Sequence, residues 1–314
     1  MLFEIGNSYS QFRVTNVTEQ PKPAEPKKTQ DSFKFEVIYL LPILASMLFG
    51  LVCAYLLAPQ STGGISAAPF TGNSPETPIG NALYFVVLVA VAASVFYVLL
   101  KRKNQRVIKG IIVLAMTTAA LLLSVVYLSA LIPYFDGVYY AIIVMAIAIA
   151  ALFDIAIFQL GSTPRNVAVI CVGGALGIFF AKFIPLPSAV LILAFLAIYD
   201  VIAVYKGPVG KIAEHSSGLD ILQGLSFSFK DIQMGLGDLV FYSMLIGIMF
   251  FSFQQSLLPI TTALIGILAG SILTFYMLEK KGIFPGLPFP IMLGLAAGLI
   301  TALLLGLPFP TQLV

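Results

Sequence analysis

Residues 235–247 read GLGDLVFYSMLIG, and all but the fourth suit the start of a membrane-crossing helix. The fourth is Asp238, a carboxylate at the head of a hydrophobic run, with Gly235 and Gly237 flanking Leu236 just before it. An aspartate at the centre of a transmembrane helix costs roughly 2.5–3.5 kcal/mol by insertion scales. A chain that carries one must offset that cost, and the rest of the sequence supplies the candidates.

Composition places the run in a membrane. Of 314 residues, 59% are hydrophobic and 10% charged, whereas soluble domains carry about 25% charged residues. Mean hydropathy is +1.01. About 20 apolar residues cross a hydrocarbon core of roughly 30 Å. Nine segments qualify: 37–58, 79–100, 110–133, 138–160, 166–184, 187–206, 235–253, 257–279 and 288–308. The expected fold is therefore an all-α polytopic membrane protein of nine transmembrane helices. Residues 1–36 form a polar tail whose Pro, Glu and Lys content, as in PKPAEPKK at 21–28, argues against a fold of its own. They lack the pattern of a cleavable signal peptide. Helices one to six then occupy 37–206, a cytosolic connection 207–234, and helices seven to nine 235–314. The two cysteines, Cys53 and Cys171, lie in apolar runs and read as packing residues.

Basic residues orient the bundle. Arg13, Lys22, Lys27, Lys28 and Lys34 lie in the tail, and Lys101, Arg102, Lys103, Arg106 and Lys109 follow the second span. Arg165, then Lys206, Lys211 and Lys230, then Lys280 and Lys281 fall in later even-numbered connections. Of the 17 Lys and Arg, only Lys182 falls on the other side. This predicts a cytosolic N-terminus and a C-terminus outside, with the first loop, PQSTGGISAAPFTGNSPETP, also outside.

Three acids sit within or at the mouth of spans: Asp154 in the fourth, Asp200 in the sixth and Asp238 in the seventh. The sixth span runs inward, so Asp200 lies about six residues, roughly 9 Å of helix rise, from its cytosolic end. Asp238 lies about one turn into the outgoing seventh. On neighbouring helices the two carboxyls could face each other. Two carboxyls a few Å apart do not both ionise cheaply, so they share a proton, one as base and one as acid. The base activates a water against a peptide carbonyl; the acid protonates the carbonyl oxygen and later the leaving amine. The same acids also suit a proton or cation pathway or a buried structural network.

Gly235 and Gly237 remove bulk before Asp238 and ease departure from helix geometry, although a plain loop-to-helix hinge would use them too. In KKGIFPGLPFPIMLG, 280–294, Pro285, Pro288 and Pro290 open the ninth span without backbone N–H groups. Irregular backbone at membrane depth persists only in protein or beside a wet cavity. Such backbone near Pro285–Pro288 could pair with an unwound substrate strand. An ordinary proline-rich helix start is the plainer reading.

Together these stretches resemble the presenilin and signal peptide peptidase family of intramembrane aspartyl proteases. The marks are Tyr199-Asp200 followed by Lys206-Gly207-Pro208, then Gly235-Leu236-Gly237-Asp238, then Pro285-Gly286-Leu287-Pro288 where the family has Pro-Ala-Leu. The resemblance implies nine spans, an Asp200–Asp238 catalytic dyad, and an endopeptidase acting within or near transmembrane segments. Tyr199, Gly235, Leu236, Gly237, Pro285, Gly286, Leu287 and Pro288 would shape the active site and bind substrate. It implies no metal and no cofactor. Partners would be transmembrane substrates and the bilayer, with no nucleic acid and no obligatory accessory subunit; homo-oligomerisation stays open. The connection 207–234 lacks the long apolar insert that presenilins cut in themselves, which leaves self-processing open and suggests a compact prokaryotic, archaeal-type homologue. The orientation is that of presenilins.

Other membrane proteases fit less well. His215, the single histidine, is in a polar connection, and no HExxH set occurs. Prepilin peptidases share the GxGD aspartate but have fewer spans. A transporter or channel would use Asp154, Asp200 and Asp238 together, whereas a protease should not need Asp154, expected to be hydrogen-bonded within the bundle or to reach the cytosolic face.

Overall fold

The computed structural model describes residues 2–5, 35–60, 66–70, 72, 74–102, 104–133, 137–206, 226–229 and 232–308. A 3-10 turn over Val37–Leu40 leads into α1, Leu41–Leu57. Then come α2, Glu76–Lys101; α3, Gln105–Leu131; α4, Val138–Phe158; α5, Ser162–Phe183; and α6, Leu186–Lys206. The last three are α7, Leu236–Ser252; α8, Leu257–Lys281; and α9, Pro288–Leu304. Among the described residues these nine long helices coincide with the nine expected spans.

Seven of them are long and apolar enough to cross a membrane, α1 when taken with its 3-10 turn as Val37–Leu57. The other two, α7 and α9, have 17 residues each, or about 26 Å of rise. They are shorter for a common reason. Each is entered through extended backbone at the end where the signature residues lie: β3, Ile232–Gly235, before α7, and β4, Phe284–Pro285, before α9.

Helix α7 sits at the centre. Of its residues 236–252, all but Gly237, Phe241, Phe251 and Ser252 are buried. Helices α1, α5, α6, α8 and α9 pack around it. Glycines set the close approaches. A Cβ at Gly177 of α5 would strike the Val240 carbonyl of α7, and one at Gly247 would come within 2.6 Å of Ala181 Cβ. In the α8–α9 pair, a Cβ at Gly266 would lie 2.6 Å from the Leu293 carbonyl oxygen. Membrane helices lack a hydrophobic drive toward one another, so small residues that let backbones meet carry much of the association. Ser46 of α1 adds polar contacts, 3.2 Å from Ser243 Oγ and donating to the Ile170 carbonyl at 3.3 Å. The outward faces remain apolar, as at Val87, Leu88, Val91 and Val95 of α2, which suits lipid.

The helix ends alternate. Ala67, after α1, donates to the Phe183 carbonyl closing α5, while Asn81 near the start of α2 donates to Ser188 near the start of α6. At the opposite end, Phe35 N–H donates to Glu279 at the end of α8, and its ring stacks on Phe275.

Two segments hold strands that the sequence reading does not place. The tail does not lack structure throughout: Leu2–Ile5 form a strand, β1. The connection before α7 is not only a loop, since Ser226–Phe229, β2, and β3 form a hairpin. The four strands make one sheet in the order β2-β3-β1-β4. Short extended segments gain their structure from pairing partners distant in sequence, which local composition does not reveal. Residues 6–34, Gly207-Pro208 and His215 lie outside the described residues.

Candidate active site

The site is built where α6, α7 and the approach to α9 meet. Asp200 belongs to the last two turns of α6 and is 1% exposed; Asp238 is 0% exposed. Gly235 is the extended residue that starts α7, at φ −70° and ψ 142°, so Asp238 falls at the third helical position. There the partial positive charge of a helix N-terminus favours an anion by about 0.3–1 kcal/mol. That term, together with enclosure in protein rather than lipid, offsets part of the insertion cost of Asp238.

The Pro-Gly-Leu stretch ties the two acidic helices together. Leu287 N–H donates to Asp200 Oδ2 at 3.0 Å. Leu287 immediately precedes α9, and the first N–H groups of a helix have no partner within it. The Asp200 carboxylate thus satisfies a buried donor that the helix cannot. One residue earlier, the Gly286 carbonyl accepts from the Tyr242 hydroxyl at 2.9 Å. Tyr242 stands four residues after Asp238, on the same face of α7, and is fully buried. The single peptide group between Gly286 and Leu287 therefore bonds through its N–H to the Asp200 helix and through its C=O to the Asp238 helix.

Neither Asp238 oxygen has a hydrogen-bond partner among the described residues, although both are buried. A buried polar group without a partner costs about 1–3 kcal/mol, and more if charged. Such a group marks a place where a water, a proton or a substrate group can complete the bonding.

The remaining expected site residues gather at the same place. Gly235, Leu236, Pro285, Gly286 and Leu287 are buried; Gly237, Pro288 and Tyr199 are half-buried. Phe284, beside Pro285, stacks on Phe289 with ring centroids 5.5 Å apart. Tyr242 and Phe284 were not singled out in the sequence, where each reads as ordinary apolar packing. The signal for Tyr242 is its spacing of four from Asp238. Asp154 stands apart, on a helix packed chiefly against α3 and α5. Its Oδ2 accepts from Thr117 Oγ1 at 2.7 Å, the expected bond within the bundle.

The sequence model described as "Signal-peptide peptidase, presenilin aspartyl protease" matches residues 45–216, more than half of the chain. The chain belongs to that family. The match includes Tyr199 and Asp200 and stops before Asp238, so the second aspartate rests on the motif and its position. In structure, the protein is similar to a presenilin family intramembrane aspartate protease solved in space group C222, with a TM-score of 0.60 at 20% identity, covering 85% of this chain and 99% of that one. A second structure described in the same words, in space group P2, gives 0.58 at 21% identity, covering 84% and 96%. At such identity the likeness establishes the fold of the presenilin-type protein. None of the curated proteins matches in sequence.

Proposed function

We propose that this presenilin-family protein is an intramembrane aspartyl endopeptidase whose Asp200 and Asp238 form one catalytic pair. The observation that carries the reading is that two carboxyls, each buried within an apolar bundle, stand on adjacent helices joined through Gly286 and Leu287. In the half-protonated pair one carboxylate takes a proton from water as its oxygen attacks the peptide carbonyl carbon. The other, protonated, donates to the carbonyl oxygen. Collapse of the tetrahedral diol breaks the C–N bond, and a carboxyl proton passes to the leaving amine. The pair titrates as a unit, with no fixed assignment of acid and base required.

Leu287 N–H holds Asp200 in place, and Tyr242 fixes the Gly286 peptide against α7. The extended backbone at Ile232–Gly235 and Phe284–Pro285 supports an account of the substrate. A helical substrate hides its peptide bonds, and pairing as an added strand would hold a segment extended beside the carboxyls. Substrates would be single-span proteins or their stubs with the N-terminus outside. The basic residues support a multi-pass protein with its N-terminus in the cytosol, and the reaction proposed calls for no accessory subunit and no cofactor. A cation or proton relay is the second reading, because Asp154 is a third intramembrane acid.

The test is cleavage of a purified single-span peptide in detergent micelles, with product masses determined. The proposal expects paired fragments whose masses sum to the substrate plus one water, cut within or beside the apolar segment. Asp154→Asn should cleave at a rate within about threefold of wild type, as for a substitution outside the reacting groups. Proton or cation flux into proteoliposomes that requires all three acids, with no cleavage of several such peptides, would replace this reading by the relay.

A further inference from the structure

The small sheet holds an occupant that proteolysis does not explain. Strand β1 lies between β3 and β4 and is antiparallel to both, with Glu4 opposite Gln233, Ile5 opposite Ile232, Leu2 opposite Pro285 and Phe3 opposite Phe284. Among the described residues no other strand joins β3 to β4 in this sheet. Both neighbours run directly into the acidic site: β3 ends at Gly235, three residues before Asp238, and β4 ends at Pro285, two residues before Leu287. In this register the beginning of β1 lies at the end of the sheet nearest those residues.

A gap between two such strands has a defined chemistry. With β1 in place Phe284, Pro285, Met234 and Gly235 are buried, and buried backbone N–H and C=O groups need partners. The seat therefore takes one extended peptide backbone, recognised by main-chain hydrogen bonds and largely indifferent to sequence. Any peptide held extended beside Asp238 and Leu287 by these edges must use the same N–H and C=O groups. One seat cannot hold two strands.

We infer that residues 2–5 are a cis-acting competitor, occupying the strand seat that a substrate must take and so restraining cleavage until displaced. The inference rests on the proteolytic reading above. Because the strand belongs to the same chain, its competition is intramolecular and does not depend on protein concentration. A membrane substrate then competes with a resident rather than with water. The consequence is kinetic and specific. The seat is free in only a fraction of molecules, so apparent affinity for substrate falls by that fraction while turnover of bound substrate is unchanged.

Two measurements on the full-length, detergent-solubilised protein test this. In the first, a variant lacking residues 2–6 and a Glu4→Pro variant are compared with wild type over a range of single-span peptide concentrations. Proline lacks the N–H and is excluded from the interior of a sheet. Both variants should lower KM with kcat held. The fall is about tenfold if β1 fills the seat in nine molecules of ten. In the second, cysteines are placed at the paired positions Phe3 and Phe284 in a chain carrying Cys53→Ala and Cys171→Ala. Oxidation should cross-link the pair and silence cleavage, and reductant should restore the same preparation to its rate before oxidation.

An unchanged KM in both variants, or loss of cleavage in both while they remain folded, would overturn the inference. So would failure of the Phe3–Phe284 pair to cross-link. If the cross-link forms but no preparation cleaves any peptide, the proteolytic reading fails, and competition with it, leaving only a seated strand.

Discussion

Tyr242 and Leu287 make the two bonds that join the acidic helices to the approach of α9. A net hydrogen bond contributes about 0.5–1.5 kcal/mol. Tyr242→Phe keeps the ring and loses the bond, so cleavage should drop by up to about tenfold in kcat, with little change in KM. Steady-state kinetics in micelles read this directly; an equal loss through KM alone would make Tyr242 a substrate contact instead. At Leu287 the backbone matters more than the side chain. Leu287→Ala retains the N–H to Asp200 and should keep more activity than Leu287→Pro, which removes it. One shared proton also predicts a bell-shaped pH profile of kcat/KM. At low pH both carboxyls are protonated and no base remains; at high pH both are ionised and no acid remains. A profile with a single limb would contradict sharing. Asp200 and Asp238 were legible in the sequence because an acid in an apolar span is conspicuous and costly. Tyr242 was not, because a tyrosine in an apolar run looks like packing until its hydroxyl partner, 44 residues away, is placed.

At the scale of elements, apolar length alone located the nine described helices to within about five residues, since roughly 20 apolar residues have few other uses. The strands escaped notice. Phe284–Pro285 is two residues long, and Leu2–Ile5 pairs with segments more than two hundred positions away. Neither offers a local pattern. The glycine contacts escaped for a related reason, because a helical glycine gains meaning only from the helix facing it. That difference can be measured with one substitution at two places. Gly177→Ala drives a Cβ into the Val240 carbonyl, whereas at Gly110 nothing lies within 4 Å. Overpacking costs about 1–3 kcal/mol, while replacing an open helical glycine by alanine returns up to about 1 kcal/mol. Thermal unfolding in detergent should therefore show a lower Tm for Gly177→Ala and an equal or higher Tm for Gly110→Ala.

The whole molecule is a bundle whose polarity is concentrated at one end. Lys101, Lys280 and Lys281 close even-numbered helices, and Asp200, β3 and β4 lie toward the same end as the start of α1. If that end is cytosolic, cysteines placed singly in a chain carrying Cys53→Ala and Cys171→Ala will separate by accessibility. Ser66→Cys should react with an impermeant maleimide in intact cells, and Lys101→Cys only after lysis. The opposite pattern would invert the orientation and the class of substrates. Enclosure of α7 by five neighbours also explains how a membrane protein tolerates Asp238: the acid faces protein, and its helix N-terminus and the adjoining extended backbone form a polar interior within an apolar exterior.

The central claim is that Asp200 and Asp238 act as one unit. It is tested most directly by measuring cleavage of the same single-span peptide by Asp200→Asn, Asp238→Asn and the double variant, with peptide binding followed in parallel. Residues that act as a unit are strongly non-additive. Each single variant should bind peptide yet lose about 10³-fold or more in kcat, and the double variant should be no worse than either. If one single variant retains near wild-type cleavage, or the losses simply multiply, the two carboxyls do not form a pair and the account fails at its centre.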